Sequence, residues 1–291
     1  MCIIRMKKIL ITGASGMLGS ALCAKLSSDF DVYPYCKSSY SGIDILDVTD
    51  IDQVSNVINF VSPDIIINCA AYTNVDMAEL NKFESRQVNV SGLLNIIKAS
   101  SKDMKIIHIS TDYIFDGLSG NYLESDIKNP LNYYGKTKLE AENYLIGSNI
   151  NYLIIRPNVL YTYDLMSSNF FSWVLNSLTN NNKISVVNDQ FSNPVYIPDL
   201  ADIIKDSILL DYSGISHFGS EDTLSRYDFS LKICNTFNLN KRLINEIKTS
   251  DLNQIANRPL NTSLNCTKIE SELEINLYST DYSFNRIKSY L

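Results

Sequence analysis

The apolar run Lys8-Ile9-Leu10-Ile11-Thr12 leads directly into Gly13-Ala14-Ser15-Gly16-Met17-Leu18-Gly19, and apolar residues then recur at 18, 21, 22 and 26. The run reads as a buried strand and the spacing after it as a helix. Glycine at GxxGxxG spacing permits the tight turn, lets backbone N–H groups approach a pyrophosphate, and allows helix and strand to pack closely. The helix that starts there points its positive end at the same phosphates. This strand–loop–helix unit predicts a dinucleotide site at Gly13, Ser15, Gly16, Met17, Leu18 and Gly19.

The following residues repeat the pattern. Residues 31–36 read as a second strand, in which Pro34 fits awkwardly. Residues 51–61 are helical, 65–67 form a third strand, 84–99 one long helix and 105–110 a fourth strand. Residues 131–146 are helical again and 152–156 a further strand. Continuous apolar strands alternating with helices predict a parallel sheet covered on both faces and joined by right-handed crossovers. The expected class is α/β, a Rossmann-like doubly wound parallel sheet with a smaller C-terminal substrate lobe. Residues 7–160 are assigned to the dinucleotide-binding domain, with chain returning to it near 193–210, and 161–291 mainly to the substrate lobe. In that second part Asn and Ser rise, and short runs such as Ile184-Ser185-Val186-Val187 mix with helices near 200–209 and 227–237.

Composition narrows the function classes. Lys plus Arg number 25 against 32 Asp plus Glu, a net charge of -7, the opposite of the balance a phosphate-tracking nucleic-acid binder carries. Six cysteines without a CxxC pair read as thiols in a reducing cytosol, with Cys23 and Cys69 in apolar stretches expected in the core. With two histidines there is no HExxH or His-rich zinc site, and no metal is expected. His108, inside Ile106-Ile107-His108-Ile109, reads as a packed core histidine. Met1-Cys2-Ile3-Ile4-Arg5 is too short for a signal peptide, and no apolar run approaches the roughly 20 residues of a membrane span. The expected location is cytoplasmic, with neither membrane nor nucleic acid as partner.

Tyr134 and Lys138 stand at i and i+4, on one face of a helix. A free phenol, with a pKa of about 10, is a poor acid at neutral pH. A neighbouring ammonium is expected to pull it down and make it a proton donor to a ketone. The pair gains weight from Thr111, a hydroxyl at the carboxyl end of the strand before it, where parallel sheets place ligands. For the cofactor ribose, the second strand ends in Cys36-Lys37-Ser38-Ser39 with no carboxylate. Lys37 and Ser38 therefore suit a 2′-phosphate, which favours NADPH over NADH. Asp44 and Asp47 are near enough in sequence to reach the ribose and permit NAD as well.

Beyond these residues, the chain resembles the extended short-chain dehydrogenases/reductases and, within them, the dTDP-4-dehydrorhamnose reductase group. The resemblance is carried by residues 13–19, 68–79 (NCAAYTNVDMAE), 88–92 (VNVSG), 110–117 (STDYIFDG), 134–142, Asp189-Gln190 and Arg258-Pro259. It implies hydride transfer from a nicotinamide cofactor to the keto carbon 4 of a nucleotide-linked 6-deoxy-hexose. Thr111 would polarise the carbonyl, Tyr134 supply the proton, and Lys138 hold the nicotinamide ribose. Asp47 and Val48 match adenine contacts, and Ala70, Ala71, Tyr72 and Asn89 match residues lining the dinucleotide. Asn158 matches the nicotinamide shelf. Thr73, Val75, Asp112, Tyr113 and Gln190 match substrate contacts. A nucleotide-sugar substrate is the implied partner, and the reading leaves room for a homodimer.

Three departures bear on this. Where the group often has DQxGxPT, this chain reads Asp189-Gln190-Phe191-Ser192-Asn193-Pro194-Val195, and Thr162 follows Tyr161 where Gly is frequent. Ala21 occupies the position of an acidic metal ligand found in some members. Two alternatives remain beside the reductase. A dehydratase or epimerase shares the fold, but the dehydratases carry Asp-Glu after the strand-end Thr and this chain carries Asp112-Tyr113. The regulatory subunit of methionine adenosyltransferase shares the motifs and acts by binding.

Overall fold

The computed structural model describes residues 5–40, 42–164 and 169–290, so Cys2 and the start of the chain lie outside the described residues. Strands β1 (Lys8–Thr12), β2 (Asp31–Cys36), β3 (Asp44–Ile45), β4 (Ile65–Asn68), β5 (Lys105–Ile109), β6 (Asn151–Pro157) and β7 (Gly214–Phe218) make one sheet. Their order is β7-β6-β5-β4-β1-β2-β3, and every neighbouring pair is parallel. The chain winds outward from β1 through β2, then crosses back to β4 and winds the other way. The reversal leaves a crevice above the carboxyl ends of β1 and β4, where such sheets bind ligands.

The helices are α1 (Met17–Leu26), α2 (Ile51–Val61), α3 (Val75–Leu80), α4 (Lys82–Arg86), α5 (Gly92–Ala99), α6 (Tyr133–Ile146), α7 (Phe170–Thr179), α8 (Ile197–Leu209), α9 (Arg226–Phe237), α10 (Thr267–Leu273) and α11 (Thr280–Lys288). Strand alternation sends Ile9, Ile11, Ile67 and Ile107 to one face, against Leu22 of α1 and Leu200 and Ile204 of α8. Leu10, Ile66, Ile106 and Ile154 go to the other face, against Ile58 of α2, Ile96 of α5 and Leu145 of α6. Two covered faces explain why these strands are apolar at every position. A third cluster, built on Tyr161, Phe171, Phe229 and Phe284, joins α7, α9 and α11 to a parallel pair formed by Ile184–Val187 and Ile244–Ile247. Between these segments α8 returns to pack on α1, and β7 extends the main sheet beside β6.

Three sequence expectations change in detail. The short β3 makes the strand that ends before Ser110 the fifth, not the fourth. Pro34 is accommodated because the Tyr35 carbonyl accepts from Ala14 N–H on the β1 side. Alternation then turns the Pro34 nitrogen to the edge, where β3 pairs only with Tyr35 and Cys36, so no ladder bond is lost. The long helix expected over 84–99 is α4 and α5 joined by a π-helical turn, Gln87–Ser91. Such turns recur at functional sites, and this one swings Asn89 inward.

Helix α6 is anchored by charge. Glu142 and Arg156 have side chains 0% and 1% exposed and meet through two hydrogen bonds, Nε to Oε1 at 3.0 Å and Nη2 to Oε2 at 2.7 Å. The Ser110 hydroxyl also donates to Glu142, and Arg156 lies over the Phe115 ring. Removing one member of a buried pair strands the other charge without water. Glu142→Gln is therefore expected to lose about 3–5 kcal/mol of stability in denaturant unfolding, with Glu142→Met/Arg156→Met recovering most of it. A loss below about 1 kcal/mol for Glu142→Gln would contradict this assignment.

Candidate active site

The crevice is a cleft of about 700 Å³, within the range of small-molecule sites. The glycine loop forms its floor. Gly13 has φ +66°, and a Cβ there would meet the Ala70 nitrogen at 2.7 Å. At Gly19 a Cβ would strike the Gly13 carbonyl. Gly16 caps α1 without a side-chain hydrogen bond, so the first N–H groups of that helix are free to face an anion. These glycines are a cradle that side chains would fill, and they fit the pyrophosphate of a dinucleotide.

One wall carries Lys37, Ser38, Asp47 and Val48. Lys37 Nζ lies 3.3 Å from Asp47 Oδ2, so the cation is paired but largely exposed. Burial would raise the Asp47 carboxyl, but the Thr49 N–H and hydroxyl, with Lys37, outweigh it and hold it below the usual carboxylate range. Asp44 pairs with Tyr35 in the sheet and does not line the cleft.

The opposite end holds Thr111, Tyr134 and Lys138. Thr111 leaves β5 and caps the 3-10 turn Asp112–Ile114: its Oγ1 accepts from Tyr113 N–H at 3.2 Å and donates to Asp112 Oδ1 at 3.0 Å. Helix α6 begins at Asn132, whose Oδ1 accepts from Gly135 N–H, while Glu79 accepts from Tyr133 N–H at 2.6 Å. That start places Tyr134 and Lys138 in the cleft. Lys138 Nζ donates to the Ile109 carbonyl at 2.6 Å and lies 3.4 Å from His108 Nε2. Burial pushes it down to about 8, with Glu142 and Cys69 pulling the other way. Burial also raises the Tyr134 phenol well above the ordinary tyrosine range, against the Thr111 hydroxyl beside it. The expected lowering of Tyr134 by Lys138 is thus reversed here. The lysine nitrogen is turned toward Ile109 and His108, and loss of water around the phenol prevails. Asp112 is raised to about 6 by burial, the neighbouring Thr262 and Thr111 hydroxyls opposing. Among the described residues its Oδ2 has no hydrogen-bond partner.

The cleft also takes in Ala70, Ala71, Tyr72, Thr73, Val75, Tyr113 and Asn158. Asn158 braces the wall, donating from Nδ2 to Asn193 Oδ1 and the Thr262 carbonyl. Two expected contacts stand elsewhere. Asn89 sits behind the wall, where its amide holds the Tyr72 backbone from both sides and donates to Thr137. Gln190 is tied to Thr249 in the C-terminal lobe and does not line the cleft. Cys69, expected in the core, is partly exposed and lines the cleft, as do Glu84 and Val88. The five cysteines among the described residues are free thiols. His108 is buried as expected, yet it touches Lys138. Strand alternation could have found that contact, because His108 and Ser110 share the face of β5 turned to α6. Among the described residues no three His, Cys, Asp or Glu side chains could together hold a metal ion. No helix there is long and apolar enough to cross a membrane.

Comparison with known proteins agrees with this geometry. Residues 6–287 match the family described as the RmlD substrate binding domain. A dTDP-4-dehydrorhamnose reductase of Aggregatibacter actinomycetemcomitans is 36% identical over 98% of this chain and 99% of its own length. The crystal structure of a dTDP-4-dehydrorhamnose reductase from Bacillus anthracis in complex with NADP superposes with a TM-score of 0.91 at 30% identity, covering 99% of this chain and 100% of that one. Methionine adenosyltransferase 2 subunit beta of Bos taurus is 29% identical over 91% of this chain and 82% of its own length. The chain belongs to the RmlD substrate-binding-domain family, the dTDP-4-dehydrorhamnose reductase group of the extended short-chain dehydrogenases/reductases.

Proposed function

We propose that this chain is a cytoplasmic NADPH-dependent reductase of the 4-keto group of a nucleotide-linked 6-deoxy-hexose, similar to dTDP-4-dehydrorhamnose reductase and serving deoxysugar and surface-polysaccharide biosynthesis. NAD is a cofactor it could also use. The observation that carries the reading is the convergence of Thr111, Tyr134 and Lys138 on the cleft that the glycine loop floors. The relative from Aggregatibacter and the NADP complex from Bacillus support it.

NADPH, when bound, supplies the hydride that goes to carbon 4, while oxygen 4 takes a proton. The Gly13–Gly19 backbone and the start of α1 would hold the pyrophosphate, and Lys37 and Ser38, which line the same cleft, would hold the ribose edge. The Thr111 hydroxyl turns from Asp112 to the ketone oxygen and polarises it. Tyr134 is held in its protonated form by burial, the form needed to donate to the oxygen as charge develops there. Lys138, near neutrality in its affinity for a proton, restores the tyrosine. The Asp112 carboxylate, which lines the cleft, would accept a sugar hydroxyl.

A binding role without turnover takes its support from the methionine adenosyltransferase subunit. NADPH oxidation with a panel of 4-keto-sugar nucleotides separates the two readings: steady turnover supports the reductase, and none across the panel supports the binding protein.

Three outcomes follow from the assigned roles. Tyr134→Phe should lower kcat about 10²–10⁴-fold while leaving NADPH affinity nearly unchanged. Near-native turnover would remove Tyr134 from its role. In the native protein kcat/KM with NADPH should exceed that with NADH, and Lys37→Ala should narrow the gap, because a cation beside the 2′-phosphate is lost. Equal use of the two cofactors by the native protein would defeat the preference. The third outcome concerns pH. Asp112 is a carboxylate above about 6 and protonated below it, so its acceptor is present at high pH and lost as pH falls. KM for the sugar nucleotide should therefore rise as pH drops through that value. The rise should vanish in Asp112→Asn, whereas an identical rise in the variant would assign it to another group.

A further inference from the structure

The mechanism leaves His108 unused, although it lies between the end of β4 and Lys138. Four buried polar side chains form a continuous line there. The Thr12 hydroxyl donates to Asn68 Oδ1 at 2.7 Å, and Asn68 Nδ2 stands 3.2 Å from His108 Nδ1. His108 Nε2 stands 3.4 Å from Lys138 Nζ, which donates onward to the Ile109 carbonyl. All four side chains are 3% exposed or less.

With the Asn68 amide nitrogen turned toward the ring, that nitrogen only donates, so His108 Nδ1 is the acceptor. Burial and the neighbouring Lys138 hold His108 well below the usual histidine range, which keeps the ring neutral. A neutral ring that accepts at Nδ1 carries its hydrogen on Nε2. That N–H faces Lys138, and an ammonium has no lone pair to receive it, whereas the free amine has one. Every bond in the line thus runs in one sense, from Thr12 toward Lys138, and it suits the amine. For the ammonium the line must run backward, with the Asn68 amide turned over, His108 carrying its hydrogen on Nδ1 and the Thr12 hydroxyl accepting. The two senses differ by rotation of one amide and one hydroxyl and by the ring tautomer.

We propose that His108 is a positioning residue for Lys138. Oriented by Asn68 and Thr12, it offers an N–H to the lysine nitrogen and so favours the uncharged amine over the ammonium. The role deepens the reductase reading, because a lysine that holds its proton less tightly gives it up more readily to restore the tyrosine. The other titratable groups acting on Lys138 are Glu142 from its own helix and Cys69 from the end of β4. Glu142 and Cys69 favour the ammonium. His108 from β5 is the contact that the line orients.

The test titrates Lys138 in the ligand-free protein by NMR of ¹³Cε-labelled lysine, its resonance assigned by loss in Lys138→Met. Asn68→Val removes the amide that dictates the tautomer, so His108 can accept from the ammonium. His108→Asn keeps an amide beside Asn68 but stops short of Lys138. In each, the Lys138 midpoint should rise by about 0.5–1 pH unit, a roughly three- to tenfold gain in proton affinity. Folding is checked by circular dichroism and thermal melting, and either folded variant suffices. An unchanged midpoint in a folded Asn68→Val or His108→Asn protein overturns the proposal. Because the titration needs neither cofactor nor substrate, a rise in a protein that reduces no sugar nucleotide would sustain the role of His108 while the reductase reading failed.

Discussion

A carboxylate and a guanidinium shut away from water hold the working helix of this protein to its sheet. Glu142 of α6 meets Arg156 of β6 in a bidentate pair, and Ser110 completes the carboxylate's bonding. Tyr134, Lys138 and Glu142 are four residues apart in turn, so they form one stripe along α6. Fixing the last of them fixes the rotation of the helix and with it the placement of the first two. Ser110 precedes Thr111, so the same carboxylate also sets the end of β5. The Thr111 hydroxyl, the Tyr134 phenol and the Lys138 amine are thereby referred to one rigid point beneath the cleft.

Burial does a second thing at this site. It disfavours charge on the phenol and on the lysine alike, raising one and lowering the other. Burial therefore shifts each group toward its neutral form. The ion-pair logic of Tyr followed four residues later by Lys suggests the reverse, and it misses because it counts neighbours in sequence and leaves out water. Lys138 finds its partners in a strand carbonyl and in His108, neither of which is close to it in sequence.

Several family segments outside the cleft turn out to be supports for it. Glu79 seats the first turn of α6 through the Tyr133 N–H. Asp76 accepts from Ala256 N–H and from Arg258, tying a C-terminal segment to α3. Asn89, carried inward by a π-helical turn, locks the Tyr72 backbone. Side chains that read as ligand contacts on resemblance alone can equally serve by holding those contacts in place.

The sequence by itself determined the sheet, the glycine loop and the Tyr–Lys helix, because each rests on local periodicity or local backbone need. Continuous apolar runs require two covered faces, glycines at fixed spacing require a close turn, and an i,i+4 pair requires one helical face. What only the tertiary structure decided depends on atoms far apart in the chain. Thr12, Asn68, His108 and Lys138 form one line although they come from three strands and a helix. Glu142 and Arg156 are charges in separate elements, and only the crossing of α6 over β6 buries them together. The direction of the Tyr134 and Lys138 shifts was likewise settled by exclusion of water, a property of the packed whole that no spacing of residues encodes.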